Sequence, residues 1–366
     1  MRLAIVIVHY HTPELAAAAI AALRTDLEGA GLDAEWLLVD NGSDERERAL
    51  LAALPVQRID PRANVGYAGG VNLGVASSRA ETILLMNPDV FVEPGCVAAL
   101  LDALAQGAAA AGPRFFWDRG KRLVLPPAEV RSRRGELLAL LSRRGGAWAA
   151  RARARWRRPA RRHWEARGPL LSHALSGSLL AIRRAAWDRV GAFDPGFQLY
   201  FEETDWLLRA RRAGLEGCYV PAATAIHLYG QSAAREPRSQ AWFEESARRF
   251  RRLHYGAWFE SLLSGLDRRF PPPTEGWNGL PPSPAGIDLG SLAPGSEVWV
   301  EVSPNPAGFP AAAERLPRAG RWTLPAEIRA RFGGDLHVCL TDDRGRELGR
   351  YRLPGEGGLA APEEAT

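Results

Sequence analysis

Carboxylates stand at the ends of apolar runs in three places, where a folded chain can put them to chemical use. Ile83-Leu84-Leu85-Met86 stops at Asn87-Pro88-Asp89, and Trp36-Leu37-Leu38-Val39 stops at Asp40-Asn41-Gly42-Ser43. Leu199-Tyr200-Phe201 runs into Glu202-Glu203-Thr204-Asp205. Pro88 has no N–H for a ladder and biases Asn87 toward an extended backbone, so a strand ends there with Asp89 at its carboxyl edge. In open α/β sheets that edge is where ligands bind. A carboxylate there can hold a divalent metal through oxygen or act as an acid or base. Taken alone, Asn-Pro-Asp reads first as a turn. A helix beginning at 202 favours acidic residues in its first turn, which accounts for one or two of Glu202, Glu203 and Asp205 but not readily for three. One of them is a candidate base. His227 follows Ala225-Ile226, and a lone histidine in that setting is more often structural than a ligand.

The elements that must carry these residues follow from the apolar pattern. Residues 3–8 read as a strand broken by His9-Tyr10-His11-Thr12-Pro13. Thr12 is placed to cap a helix with Pro13 at its first position. With the strand at 36–39, this makes a parallel βαβ unit with a right-handed crossover, which sets Asp40 beside His9 and Tyr10. Val56–Ile59 is a short third strand. The stretch Asn64-Val65-Gly66-Tyr67-Ala68-Gly69-Gly70-Val71-Asn72-Leu73-Gly74 opens a helix and is neither a Walker sequence nor GxGxxG. It reads equally as a loop bringing backbone to an anion or as a helix packed closely on the sheet. Further on, 94–104 is a helix and 108–116 a strand. The segment 173–182 is a strand interrupted at Ser176-Gly177-Ser178, followed by a short helix over 183–190. Tyr219-Val220-Pro221 and 224–228 read as two short strands, and 242–259 as one amphipathic helix.

Composition bounds the rest. The 366 residues are 46% hydrophobic and 24% charged, as in a soluble globular protein. Three scattered cysteines form no metal-ligand spacing and suit free thiols in a reducing cytoplasm. No run approaches the ~18 apolar residues of a membrane span. The net charge of +5 is uneven: residues 131–167 hold 13 Arg against 2 Glu, a local +11 that leaves −6 elsewhere. A generally basic nucleic-acid-binding body is therefore not indicated. Trp148, Trp156 and Trp164 recur every eight residues in this basic stretch. Such a stretch suits a membrane interface with anionic lipid or a solvated loop, with nucleic acid well behind. Beyond Pro271-Pro272-Pro273 the pattern changes to Pro/Gly punctuation and short alternating strands, including 297–302 and a hairpin from 336 to 351, with a disordered tail after Leu353.

Six motifs in order carry a resemblance. They are Ile5-Val6-Ile7-Val8-His9-Tyr10, Leu38-Val39-Asp40-Asn41-Gly42-Ser43, Asn64 through Asn72, Leu85-Met86-Asn87-Pro88-Asp89, Leu175-Ser176-Gly177-Ser178 and Tyr200-Phe201-Glu202-Glu203-Thr204-Asp205. Residues 3–230 resemble the family 2 glycosyltransferases of GT-A fold, in the bacterial rhamnosyltransferase-like branch of cell-surface polysaccharide synthesis. The resemblance implies an α/β fold, a Rossmann-like mixed sheet flanked by helices. It implies a catalytic domain over 1–270, with a nucleotide half at 1–95, the Arg/Trp-rich insert at 118–170, an acceptor half at 171–235 and an amphipathic helix at 240–265. Residues 271–366 are then a small antiparallel β-rich accessory domain. The resemblance places Val8, His9, Tyr10 and Asp40 at the base and ribose, and Asn64, Gly66 and Gly70 on the phosphate side. Asn87 and Asp89 stand for the family's DxD motif, with Asp89 and His227 on Mg²⁺ or Mn²⁺. The acceptor side takes Ser176, Gly177 and Trp206. The base is the second residue of the acidic motif, here Glu203 where the family usually has Asp, which leaves Glu203 and Asp205 as alternatives beside Glu202. Asn87 supplies no charge, so metal affinity is expected to be low without the diphosphate.

The expected function is an inverting, metal-dependent transfer of a sugar, rhamnose first, from a dTDP- or UDP-sugar to a glycan or lipid-linked glycan acceptor. The setting is cytoplasmic with peripheral contact at the inner membrane face, no nucleic acid partner, and a homo-oligomer among the options. A sugar-phosphate nucleotidyltransferase is disfavoured because His9-Tyr10-His11-Thr12-Pro13 occupies the place of its Gly-rich basic signature. A non-catalytic scaffold on the same fold is the other alternative.

Overall fold

The computed structural model describes residues 2–130, 132–229, 237–269, 286–292 and 297–355. They fall into two compact units. One is built from 2–115, 127–130 and 166–262, the other from 116–126, 132–165 and the described residues beyond 262.

The chain opens with β1 (Leu3–His9), α1 (Pro13–Ala30), β2 (Ala34–Asp40), α2 (Glu45–Ala52), β3 (Gln57–Ile59), α3 (Gly66–Ala76), β4 (Thr82–Met86), β5 (Val90–Val92), α4 (Cys96–Ala105) and β6 (Ala110–Phe116). After α5 (Arg133–Ser142) and α6 (Gly146–Trp164) it continues through β7 (Leu170–Ser172), β8 (Leu179–Arg183), α7 (Arg184–Val190), α8 (Glu202–Arg212), β9 (Gly217–His227), α9 (Ser239–Tyr255) and α10 (Ala257–Arg269). The strands of the first unit make one mixed sheet in the order β3-β2-β1-β4-β8-β6-β9-β5, with β7 on β9.

Register sets the working edge. β1 runs parallel to β2 with His9 opposite Asp40, and parallel to β4 with Ile7 opposite Met86. β8 is antiparallel to β4 with Leu179 opposite Met86, and β9 is antiparallel to β5 with His227 opposite Val90. The carboxyl ends of β1, β2 and β4 therefore share an edge with the turn that precedes β8. β1 is buried along its whole length. Ala4, Val6 and Val8 face a core shared with Ala68, Val71 and Val75 of α3 and with Trp187, Phe193 and Trp206. A strand buried on both faces reads as the continuous apolar run seen at 3–8.

Several local expectations change. The glycine-rich stretch is helix from Gly66 onward. A Cβ at Gly70 would stand 2.8 Å from Val8 Cγ1, and one at Gly74 would stand 2.4 Å from Val6 Cγ1. These glycines let α3 lie close on β1. Thr12 makes no side-chain cap; its N–H goes to His9 instead. The two short strands around Pro221 are one strand, β9, with Pro221 between the part paired to β7 and the part paired to β5. The single helix expected over 242–259 is broken at Gly256, whose φ of +93° is left-handed and ends α9 before α10 begins.

The second unit adds β10 (Ile287–Asp288), β11 (Glu297–Ser303), β12 (Ala312–Pro317), β13 (Arg321–Trp322), α11 (Ala326–Arg331), β14 (Leu336–Thr341) and β15 (Glu347–Leu353). Four strands form an antiparallel sheet in the order β12-β11-β14-β15, and β10 pairs with β13. On β11, Val298, Val300 and Val302 alternate with Trp299 and Glu301, and all five are buried. The second set is covered by α6. Trp164 stacks on Trp299 at 5.5 Å between ring centroids, and Trp156 stacks on Phe309 at 6.0 Å. Arg157 Nε lies 2.7 Å from Glu301 Oε1, with both side chains at 5% exposure or less. The basic, Trp-bearing stretch is therefore neither a solvated loop nor, at Trp156 and Trp164, available to a membrane; only Trp148 is exposed. Residues 132–165 group with the C-terminal strands, a division that differs from a boundary at Pro271. Pro271-Pro272-Pro273 and the tail from 356 lie outside the described residues.

Candidate active site

The edge is assembled by short polar links between strand ends. Asp40 Oδ1 accepts the Ser43 N–H at 3.1 Å, while its Oδ2 has no hydrogen-bond partner among the described residues and faces Arg48 Nε at 3.9 Å. Asn41 ties this strand end to the next. Its Oδ1 accepts the Val65 N–H at 2.8 Å, and its amide donates to Asn64 Oδ1 at 3.0 Å and Gly66 O at 3.3 Å. Gly66 has φ +74°, and a Cβ there would stand 2.7 Å from Gln198 O. The adjacent Tyr67 N–H donates to that same carbonyl at 2.8 Å.

His9 sits beside Asp40, its Nδ1 3.9 Å from Asp40 Oδ1. It is fully buried, its Nε2 accepts the Thr12 N–H at 2.9 Å, and its Nδ1 lies 3.2 Å from Ser43 Oγ. The ring braces the turn after β1, which corrects its expected place against a base. Tyr10 is half-buried and packs edge-on against His11. Val8 and Gly70 meet each other in the helix–strand contact.

Asp89 and His227, the candidate metal ligands, come together through the pairing of β5 with β9. His227 Nε2 lies 3.5 Å from Asp89 Oδ1, and both residues are buried. The Asn87 N–H donates to Ser178 O at 2.8 Å, and Asn87 Oδ1 is buried with no hydrogen-bond partner among the described residues. No group of three or more His, Cys, Asp or Glu gathers as a metal site among the described residues. The donor set is thus one carboxylate, one imidazole and an orphaned amide oxygen.

The acidic motif opens α8 through two consecutive non-glycine residues with left-handed φ, Tyr200 at +69° and Phe201 at +72°. Such backbone costs about 1–3 kcal/mol per residue and clusters at working sites. It delivers Glu202 and Glu203 to the first turn of α8. The three acids then part company. Glu202 is 4% exposed, with Oε2 lacking a hydrogen-bond partner among the described residues; burial and then the Glu203 charge push its carboxyl well above the usual range. Glu203 is half-buried. Burial raises its carboxyl as well, against the lowering effect of the N–H groups of Glu203, Thr204 and Gly177. Asp205 is different. Its Oδ1 takes His254 Nε2 at 2.8 Å and its Oδ2 takes Arg209 Nε at 2.8 Å. Burial would raise its carboxyl, but His254 and Arg209 outweigh that and hold it below its ordinary value. Both oxygens are committed, so Asp205 joins α9 to α8.

Tyr67 links the two sides. Its hydroxyl donates to Gly177 O at 3.0 Å. Burial and then the charges of Glu202, Glu203 and Asp89 hold it protonated, with a pKa well above the ordinary tyrosine value. The Tyr200 hydroxyl is pushed up to about 12 by burial, Tyr229, Glu202 and Asp89. Asp89 and the α8 acids therefore share one electrostatic neighbourhood. Ser176 Oγ lies 3.1 Å from Ser178 Oγ within the turn before β8, and Gly177 lies against Glu203. Trp206, expected on the acceptor side, is in the core at 0% exposure, with its indole N–H on Gly191 O at 2.9 Å. Sequence reasoning did not single out Asn41, Tyr67 or His254. Asn41 lay inside a quoted motif, Tyr67 stood among the glycines, and nothing local marks His254.

Comparison with known proteins identifies the family. The profile described as glycosyl transferase family 2 matches residues 4–190. An N-acetylglucosaminyl-diphospho-decaprenol L-rhamnosyltransferase of Mycobacterium tuberculosis is 33% identical over 245 residues, covering 62% of this chain and 77% of its own. A low-salt glycan biosynthesis hexosyltransferase, Agl10, of Haloferax volcanii is 26% identical over 249 residues, covering 67% and 70%. Among solved structures, GalNAc-T7 with UDP, GalNAc and Mn2+ aligns at a TM-score of 0.46 and 14% identity; 74% of this chain is covered but only 55% of that one. The profile takes in β1 through β8, and with them every strand end described above except that of β9. On that match and the Mycobacterium relative, the chain belongs to glycosyl transferase family 2 and is a glycosyltransferase.

Proposed function

We propose that the protein is an inverting, metal-assisted transferase that moves a sugar, rhamnose first, from a nucleoside-diphosphate sugar to a lipid-linked glycan. The Mycobacterium relative, an L-rhamnosyltransferase acting on N-acetylglucosaminyl-diphospho-decaprenol by its name, supports the sugar and the acceptor class. The observation that carries the mechanism is the contrast at α8: Asp205 has both oxygens bound, while Glu203 is half-buried beside the turn at Gly177. Glu203 takes the proton of the acceptor hydroxyl, and that oxygen attacks the anomeric carbon from the face opposite the diphosphate. The bond from that carbon to the phosphate oxygen breaks, its electron pair leaves with the diphosphate, and the configuration inverts. A carboxyl raised by burial is a better match for a base working near neutral pH than an ordinary one.

Asp40, with an uncommitted Oδ2, and the Asn41–Asn64 clamp suit the nucleoside end. Asp89, His227 and the Asn87 amide oxygen fit a hard divalent ion such as Mg²⁺ or Mn²⁺ that takes its remaining ligands from the diphosphate. When bound, such an ion neutralises the leaving diphosphate. With three protein donors and one charge, affinity depends on the nucleotide.

Phe243, Leu253 and Trp258 on α9 and α10 are 44%, 52% and 62% exposed, with Arg248 and Arg252 exposed nearby. An apolar face with basic neighbours suits approach to a lipid-linked acceptor at an anionic membrane surface. No helix among the described residues is long and apolar enough to cross a membrane.

The test is a thermal-shift screen of dTDP- and UDP-sugars with Mn²⁺, followed by transfer assays with the best donor. A donor at 100 times its Kd stabilises by about 2.7 kcal/mol. Asp89→Asn is expected to lose the Mn²⁺-dependent part of that shift while keeping the metal-free part. An unchanged Mn²⁺ dependence would remove Asp89 from the metal.

A further inference from the structure

The Ser176–Ser178 turn is held from several sides. Ser178 O accepts the Asn87 N–H at 2.8 Å, and Ser178 Oγ accepts the Asn87 amide at 3.4 Å. Gly177 O accepts the Tyr67 hydroxyl at 3.0 Å, and the Ser178 N–H reaches Ser176 Oγ at 3.3 Å. The turn is thereby anchored to the end of β4 and to α3.

Its central residue faces Glu203. A Cβ at Gly177 would stand 3.2 Å from Glu203 Cγ, 3.3 Å from Cβ and 3.4 Å from Cδ. The backbone of Gly177 is not in the left-handed region, so its φ leaves other residues permissible. The neighbour, rather than the backbone, is what a side chain would disturb. The contact falls along the whole stem of the Glu203 side chain.

We propose that Gly177 is the positioning residue for Glu203. The missing side chain provides the slot in which the glutamate lies, and the anchored turn fixes the distance between its carboxylate and the Asn87–Asp89 side. The proposal rests on the reading of Glu203 as the base. The titratable groups near that carboxylate are Glu202 on α8 and the Tyr67 hydroxyl on α3, which stays protonated.

The experiment is a double-mutant cycle on the full chain, using Gly177→Ala, Glu203→Ala and both together. Gly177→Ala is expected to lower kcat by about 10-fold or more, since small misplacements of a reacting group are costly. Donor KM should stay within about two-fold, because no uniform binding is lost. Moving the carboxylate off the Gly177 N–H should also shift the acid limb of the kcat/KM profile to higher pH. In the Glu203→Ala background, where residual turnover is followed at raised enzyme concentration, adding Gly177→Ala should change nothing. Wild-type kcat in Glu203→Ala would overturn the base reading and the proposal with it. With Glu203→Ala inactivating, three results would overturn the positioning role alone: wild-type kcat in Gly177→Ala, an equal loss in both backgrounds, or loss of the donor-induced thermal shift in Gly177→Ala.

Discussion

Glu202, Glu203 and Asp205 lie within four positions of one another and end in three different states. What separates them is their partners. Arg209 is one turn along α8 from Asp205, but His254 comes from α9, 49 residues away. The sequence showed the cluster and the i+4 arginine; it carried no mark of the histidine, so Glu203 and Asp205 stayed level there. His9 and Trp206 teach the same lesson in reverse. Both sit in motif positions that look functional, yet His9 spends its ring nitrogens on the Thr12 N–H and Ser43 Oγ, and Trp206 its indole N–H on Gly191 O. Because the folded Asp205 carboxyl is held below its ordinary value, its stabilising contribution is present above the unfolded carboxylate range and is lost as pH falls through the folded pKa. Asp205→Ala leaves His254 and Arg209 without their acceptor and is expected to cost about 3 kcal/mol at pH 7. Thermal melts from pH 7 to pH 3 should show the gap to wild type narrowing as the pH falls. Equal melting points at pH 7 would contradict the structural role.

Apolar periodicity made the elements legible where one face or both faces of a strand are buried, as in β1, β2 and β4. It failed where two readings share a pattern. A run rich in glycine looks like a loop, yet in α3 the small residues serve close packing of the helix on Val6 and Val8. The Arg- and Trp-rich segment looks like a solvated or lipid-facing face. In the structure α6 spends Arg153, Arg157 and Arg161 on Glu347, Glu301, Thr341 and Asp342, contributed from 144 to 194 residues downstream. Charge counting cannot see such partners. Arg157→Met would leave the Glu301 carboxylate buried without its main cation, at an expected cost of about 3 kcal/mol. Arg157→Met/Glu301→Leu should recover most of that loss, since replacing both members of a buried pair is often near neutral. Urea unfolding of both variants checks this, and a single variant as stable as wild type would show that the pair is not what holds α6 on the sheet.

The whole molecule is two units interleaved along the chain, the second entered twice, at 116–126 with 132–165 and again beyond 262. A reading that moves along the sequence places a boundary where composition changes. It has no way to see that an earlier helix covers one face of a later sheet. Removing everything from Pro271 onward would therefore strip Trp156 and Trp164 of Phe309 and Trp299, and would not be a clean test of the catalytic unit. By contrast, the strand ends that carry Asp40 and Asp89 were readable in advance, because they are set by short, local signals, whereas Leu199-Tyr200-Phe201 forms no strand before the α8 acids but passes through left-handed backbone at Tyr200 and Phe201. The account depends most on Glu203 as the group that accepts the acceptor's proton. The direct measurement is single-turnover transfer by Glu203→Gln, with donor binding followed in the same preparation by thermal shift. The expected result is donor binding within about two-fold of wild type and a transfer rate lower by about 100-fold or more, the scale of lost general-base catalysis. A Glu203→Gln enzyme that transfers sugar at the wild-type rate would contradict it.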